Sequence, residues 1–104
     1  MRPYVSWMSD VDRLILEWLD ETGIAAPPKV IYLNLVDEYG EEEMASFSQI
    51  NRRIRDPLPK HGLVERAHED RAQGYYRITE LGRRYLHDSD AAPEEFVADD
   101  EEPE

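Results

Sequence analysis

The chain has 104 residues, no cysteine, and 24 acidic against 12 basic side chains, which gives a formal net charge of −12. This length allows one domain, and the lack of cysteine excludes disulfide frameworks, thiolate zinc sites and cysteine nucleophiles. No run approaches the roughly 18 apolar residues of a membrane span, and the first residues do not form an apolar signal segment. We therefore expect a cytoplasmic protein with no membrane partner, and the total charge argues against nucleic acid as a partner.

The negative charge is unevenly distributed along the chain. Residues 1–45 carry a net charge of −7 and residues 46–88 a net charge of +3, while residues 89–104 contain eight acidic side chains and no basic one. The last segment is predicted to be a disordered acidic tail. Ten of the twelve cations are arginine. An acidic, lysine-poor surface suits a protein that works in a salt-rich cytoplasm. We favour this interpretation over the alternative of an ordinary acidic protein with a charged tail.

The first half of the chain predicts two helices. Ser9 and Asp12 have the spacing of a capping box, and apolar residues then recur at helical intervals until Thr22 and Gly23. Trp7 and Met8 are expected to fold back onto the core. The second helix begins near Ala26 to Pro28, because proline is tolerated in a first turn, and ends at Gly40. Its buried stripe is expected to contain Val30, Ile31, Leu35 and Tyr39.

A third helix is predicted from Ser46 toward Asp56. Ser46 and Gln49 form a second capping-box pattern, and Phe47, Ile50, Ile54 and Leu58 recur at helical spacing. Two prolines, Pro57 and Pro59, disfavour helical geometry in the residues before them, so the chain should kink or turn there.

The remaining elements are a hairpin and a last helix. Residues 63–68 and 75–78 read as strands joined by a loop with Gly74, and Thr79 caps a helix that runs from Glu80 to about His87. Three helices, a two-stranded hairpin and a final helix describe a mainly α fold with a small β wing. This order is typical of a winged helix-turn-helix domain, here predicted to cover residues 1–88.

In this architecture the third helix enters the major groove and the hairpin contacts the neighbouring backbone. At 100° per residue, the polar residues of that helix lie opposite or beside the buried Ile50, although any solvated helix has a polar face. The predicted DNA contacts are Ser48, Gln49, Asn51, Arg52, Arg55 and, at the hairpin tip, Arg71. Secondary phosphate contacts are Arg53, Lys60 and Arg77.

Two of these wing arginines have alternative roles. Arg71 is equally compatible with a solvated loop cation beside Glu69 and Asp70. Arg77 can contact phosphate or pair with Glu65 across the hairpin, and we favour the pair. Arg83 and Arg84 are expected to form salt bridges on the surface.

Four segments resemble a known family. They are WMSDVDRLILEWL (7–19), APPKVIYLNL (26–35), HGLVER (61–66) and GYYRITELGRRYL (74–86). Together they are similar to the phage phi-H repressor-like winged helix proteins of halophilic archaea. The resemblance implies a DNA-binding transcriptional regulator and supports the salt-rich environment inferred from composition.

The sequence does not indicate an enzyme, a cofactor or a metal site. His61, His68 and His87 lack the spacing of metal ligands, and the carboxylates occur in runs that solvate rather than catalyse. We therefore expect a sequence-specific DNA-binding regulator, a repressor, that acts as a homodimer in high salt. The apolar residues expected at the dimer surface are Trp7, Trp18, Tyr85 and Leu86.

An alternative function is an acidic winged-helix module that docks on basic proteins and does not bind DNA. This alternative is favoured over DNA binding if Glu65, Glu69 and Asp70 neutralise the cations of the wing. The acidic tail could also inhibit DNA binding by competing for the arginine face.

Overall fold

The computed structural model describes residues 2–98, and within them the elements follow the predicted order. They are α1 (Asp10–Thr22), α2 (Pro28–Tyr39), α3 (Phe47–Arg55), α4 (Pro57–Lys60), β1 (Val64–Ala67), β2 (Tyr75–Ile78), α5 (Glu80–His87) and a 3-10 turn (Pro93–Phe96). The strands pair antiparallel, with Val64 opposite Ile78 and Glu65 opposite Arg77. The predicted fold class, mainly α with a two-stranded β wing, is confirmed.

The predicted helix starts are formed by side-chain caps. Ser9 Oγ accepts from the backbone of Asp12, whose carboxylate accepts from the backbone N–H of Ser9 at 2.9 Å. Ser46 and Gln49 make the same reciprocal pair at the start of α3, with both distances 3.2 Å. Thr79 caps α5 by accepting from Gly82 N at 3.1 Å. Each cap satisfies backbone N–H groups that the first helical turn leaves without partners.

The core is built from the inward faces of all three leading helices. Its fully buried side chains include Ile15, Leu16 and Leu19 of α1, Ile31 and Leu35 of α2, Ile50 and Ile54 of α3, and Leu58 and Leu63 beyond them. Val30 and Tyr39, expected in the buried stripe of α2, are more than a third exposed. Val30 lies about 100° around the helix from Ile31 and so leaves the buried face. Tyr39 keeps the spacing of four from Leu35 but is the last residue of α2.

The proline pair after α3 produces a break followed by one helical turn. Asp56 has a non-helical backbone with φ −122° and ψ −78°, and α4 then begins at Pro57. Leu58 is fully buried, so α4 contributes its apolar residue to the core. The predicted kink is therefore present, and it ends α3 at Arg55.

The segment from 89 to 98 differs from the predicted disordered tail. Ala91 and Phe96 are buried, and Phe96 packs edge-on against Tyr85 with ring centroids 5.6 Å apart. The backbone oxygen of Phe96 also accepts from Trp7 Nε1 at 2.8 Å. Ala91 and Phe96 thus pack residues of an otherwise acidic segment against the rest of the chain. Residues 99–104 of the expected tail lie outside the described residues.

The apolar surface predicted for a dimer is not available. Trp18, Tyr85 and Leu86 are all at most 9% exposed. Trp7 is half-buried because it packs against the core and stacks on His61, with ring centroids 4.2 Å apart. These residues belong to the interior of one chain, so that part of the prediction is wrong.

Candidate functional site

The outer face of α3 is polar and solvent-exposed, as its periodicity predicts. Ile50 and Ile54 are fully buried, while Ser48, Gln49, Arg52 and Arg55 are exposed and Asn51 is half-buried. The helix follows α2 through a short turn and is oriented by the two buried isoleucines. Its five predicted base contacts therefore lie together on the accessible side of one helix.

Local hydrogen bonds organise these side chains. The carboxamide oxygen of Gln49 accepts from the backbone of Ser46, which directs its amide N–H groups away from the cap. Arg55 Nε donates to Asn51 Oδ1 at 2.7 Å, one helical turn away. The side chain of Arg52 makes no hydrogen bond or ion pair within residues 2–98. The face thus combines three restrained side chains, those of Gln49, Asn51 and Arg55, with one arginine that is free to meet a ligand.

A cleft of about 360 Å³ lies between the end of α3 and the wing. Two cations, Arg55 and Arg66, line it, together with Glu69, Gln73 and Tyr76. Arg66 lies opposite Tyr76 in the strand register. Side chains of directly opposed strand residues lie on the same face of a sheet, so Arg66 is on the face of Tyr76, which lines the cleft. Sequence reasoning missed Arg66, although the alternation along β1, with Glu65 paired to Arg77 on the other face, could have located it.

The wing itself carries balanced charge. Arg77 Nε donates to Glu65 Oε2 at 2.7 Å, so the cross-strand pair favoured from the sequence is confirmed and this guanidinium is not poised for phosphate. Arg71 is 84% exposed, with its Nε 3.9 Å from a carboxylate oxygen of Asp70. The positive charge is therefore concentrated on α3 and at Arg66 rather than spread evenly over the wing.

Arg53 is not available as a phosphate contact. Its Nε donates to Asp12 Oδ1 at 2.9 Å and its second terminal nitrogen donates to Asp12 Oδ2 at 2.6 Å. The same nitrogen donates to the backbone oxygen of Trp7 at 3.1 Å. The hydrogen bonds to Asp12 raise the pKa of Arg53. This prediction is wrong because a buried carboxylate from α1, distant in sequence, takes up the guanidinium.

Comparison of this chain with known proteins identifies its family. A family model described as winged helix-turn-helix phage repressor matches residues 1–99. The chain belongs to this family. The crystal structure of the PhiH1 repressor-like protein from Haloarcula marismortui is also similar, with 35% sequence identity and a TM-score of 0.62 over 83% of this chain and 84% of that chain. No curated protein matches this sequence.

Family membership confirms the resemblance inferred from the four sequence segments. The phage repressor family is one of winged helix domains and not of enzymes. Across residues 2–98, no helix of this family member has the length and apolar character needed to span a membrane. In the same residues, no three His, Asp or Glu side chains are grouped as a metal site would require.

The three histidines of this phage repressor relative serve packing and surface contacts. His61 is buried under Trp7 and its Nδ1 accepts from the backbone of Ala98 at 2.9 Å. His87 lies 2.6 Å from Asp20, and His68 packs edge-on against Tyr75.

Lys60, the remaining residue predicted as a secondary phosphate contact, is exposed at the end of α4. It belongs to α4, which follows the break at Asp56, and not to the polar face of α3.

Proposed function

We propose that this chain is a sequence-specific DNA-binding repressor that inserts α3 into the major groove and lays the wing along the adjacent backbone. The observation that carries the proposal is the exposed polar face of α3 in a member of the phage repressor family. Short polar residues near the helix start and arginines near its end match the groups on base edges and phosphates. Those residues are Ser48, Gln49, Asn51, Arg52 and Arg55.

Arg66 and Arg71 extend this face to the DNA backbone. Arg66 lies across the cleft from Arg55, at a position suited to the phosphates that flank the groove. Arg71 projects from the hairpin loop and is exposed. Phosphate contacts position a protein on DNA without reading its sequence, so these two cations contribute affinity rather than specificity.

The acidic surface and the similar structure from Haloarcula marismortui support action in a salt-rich cytoplasm. Binding through phosphates alone weakens with salt, with a log-log slope of about −0.9 per phosphate neutralised. Direct hydrogen bonds to bases must therefore carry recognition in molar salt. A homodimer on a two-fold symmetric operator would double these contacts.

Selection of genomic DNA fragments at high salt tests the proposal. We expect one duplex sequence to be enriched and to shift in a gel with the wild-type protein. Arg52→Ala or Arg55→Ala should each weaken that complex by about 5- to 150-fold, because a hydrogen-bonded arginine–base pair contributes about 1–3 kcal/mol. Arg13→Ala on α1, where Arg13 contacts Glu17, is the matched control and should bind normally.

Two results would reject parts of the proposal. Unchanged binding by both α3 variants would reject α3 as the helix that reads the bases. A monomeric mass in high salt, measured by light scattering with and without the duplex, would reject the dimer.

The second candidate function is protein docking without DNA binding. The balanced charges of the wing favour it, because Glu65 neutralises Arg77 and Asp70 lies beside Arg71. An acidic winged helix with such a wing could recognise basic protein surfaces. Failure of the wild-type protein to enrich any duplex, together with retention of a basic partner, would support this candidate instead.

A further inference from the structure

A buried carboxylate lies where α1 contacts α3. Asp12 is completely buried, and its two oxygens accept from Ser9 N and Ser9 Oγ as well as from two nitrogens of Arg53. A buried charge is strongly unfavourable unless hydrogen bonds and an opposite charge compensate it. Asp12 has both, so its position is coupled to that of Arg53.

The geometry of this ion pair restricts α3. Arg53 lies between the exposed Arg52 and the buried Ile54. Its planar guanidinium donates two nearly parallel hydrogen bonds to one carboxylate, an arrangement with strong directional preference. Because Arg53 also donates to the backbone oxygen of Trp7, α3 is tied both to α1 and to the N-terminal segment.

The N-terminal side of this clamp is itself held in place. Trp7 donates from Nε1 to the backbone oxygen of Phe96 at 2.8 Å. Its ring stacks on His61, which lies at the end of α4, with an interplanar angle of 14°. Arg53 therefore binds the backbone oxygen of Trp7, a residue that is itself held by contacts with Phe96 and His61.

Such a clamp controls the rotation of α3 about its own axis. A rotation of about 10° moves a side-chain atom about 5–6 Å from the axis by about 1 Å. That displacement is enough to break a hydrogen bond to a base edge, because useful donor–acceptor distances span only about 0.5 Å. The two buried isoleucines hold the inward face of α3 by packing, and the ion pair adds a directional restraint on the same rotation.

We propose that Asp12 is a positioning residue for DNA recognition, which acts through Arg53 to set the rotation of α3. Asp12 itself does not touch DNA. The DNA part of this inference rests on the proposed function. Since Asp12 is buried, added salt screens its pair with Arg53 far less than an exposed pair such as Arg71 with Asp70. The clamp thus keeps α3 oriented in the salt concentrations that weaken surface contacts.

The substitution Asp12→Asn tests this proposal, because it keeps the side-chain shape and removes the charge. The matched control is Asp20→Asn on the same helix, where Asp20 contacts Arg83 and His87 of α5 instead of α3. Each protein is titrated with the duplex enriched from genomic fragments and with a scrambled duplex. All titrations are made at a temperature at which circular dichroism shows the variants fully folded.

We expect Asp12→Asn to bind the enriched duplex about tenfold more weakly and the scrambled duplex as the wild type does. A tenfold change is about the effect of removing one side chain that hydrogen-bonds a base. Asp20→Asn should bind both duplexes normally. A carboxylate that only stabilises the fold would lower the thermal midpoint and leave the ratio of the two affinities unchanged. An unchanged ratio in the folded Asp12→Asn variant would overturn the proposal.

Hydrogen exchange of the free protein provides a readout without DNA. Amides of α3 should exchange faster in Asp12→Asn than in the wild type, while those of α5 should not change. If the wild type enriches no duplex, the proposed function fails, and this exchange pattern still decides whether Asp12 orients α3. If Asp12→Asn does not fold, Arg53→Lys, which keeps the charge and loses the planar fork, is judged by the same ratio and the same exchange pattern.

Discussion

Replacing Gly82 by alanine tests whether helix propensity or packing determines the free energy of unfolding at this position. Gly82 is the third residue of α5 and is buried, with ordinary helical backbone angles. An added Cβ would lie 2.5 Å from the backbone oxygen of Leu63 and 2.6 Å from Ile78 Cγ1. Ordinary contacts are about 3.5–4.0 Å, so both neighbours would have to move by about 1 Å.

The Leu63 oxygen has little freedom to move. It accepts from Thr79 N at 3.1 Å, where β1 begins and β2 passes into α5. Alanine favours a helix over glycine by at most about 1 kcal/mol, whereas overpacking a tight core costs about 1–3 kcal/mol or more. With a backbone atom as the obstacle, we expect Gly82→Ala to lower the free energy of unfolding by about 2 kcal/mol net. The thermal midpoint should fall by roughly 8–16 °C.

Thermal and urea unfolding followed by circular dichroism in high salt measure this loss. Gly23→Ala is the matched control, because a Cβ there meets nothing within 4 Å but its φ of +68° is unfavourable for alanine. That variant should lose about 1–2 kcal/mol through backbone conformation alone. A Gly82→Ala protein as stable as the wild type, or more stable, would refute the packing argument and favour helix propensity.

Three further predictions concern the C-terminal part of the chain. Phe96→Ala should lower the free energy of unfolding by about 3–5 kcal/mol in urea titrations, while the exposed neighbour Val97→Ala should stay within about 0.5 kcal/mol of the wild type. Hydrogen bonding to Arg84 lowers the pKa of Glu95 to about 2 from its ordinary value of 4.5. The ion pair should therefore contribute stability above about pH 4.5 and lose it as the pH falls toward 2, a dependence that Glu95→Gln should reduce in thermal midpoints measured from about pH 5 to about pH 3. Deleting residues 99–104, which removes five carboxylates, should tighten DNA binding in gel shifts at low salt and have little effect in molar salt; equal affinities at low salt would reject an inhibitory tail.

Local patterns predicted most of the fold. The capping boxes at Ser9 and Ser46 involve residues three positions apart, and the apolar spacing of α3 places Ile50 and Ile54 inside without knowledge of the rest of the chain. The wing was predictable for a similar reason, since Gly74 permits the turn before the second strand. Such interactions are encoded over a few residues, so a single sequence is sufficient to identify them.

The errors came from interactions between distant residues. Arg53 resembles its neighbours Arg52 and Arg55 in sequence, and only the folded chain shows that Asp12, 41 positions away, binds it. Composition likewise made residues 89–98 look disordered because their average hydrophobicity is low. Contacts with distant residues hold them instead: Phe96 packs against Tyr85, and its backbone oxygen accepts from Trp7.

The meeting of the two ends of the described chain has a consequence for folding kinetics. Trp7 and Phe96 are joined across 89 positions, and Arg2 donates to the Leu86 oxygen across 84. Closing so long a loop costs conformational entropy before the contacts between its ends can stabilise the chain. We therefore expect these contacts to form after the transition state for folding. Substitutions there should then speed unfolding and leave the folding rate nearly unchanged. The lifetime of the native protein, rather than the speed at which it forms, would be set where its ends join.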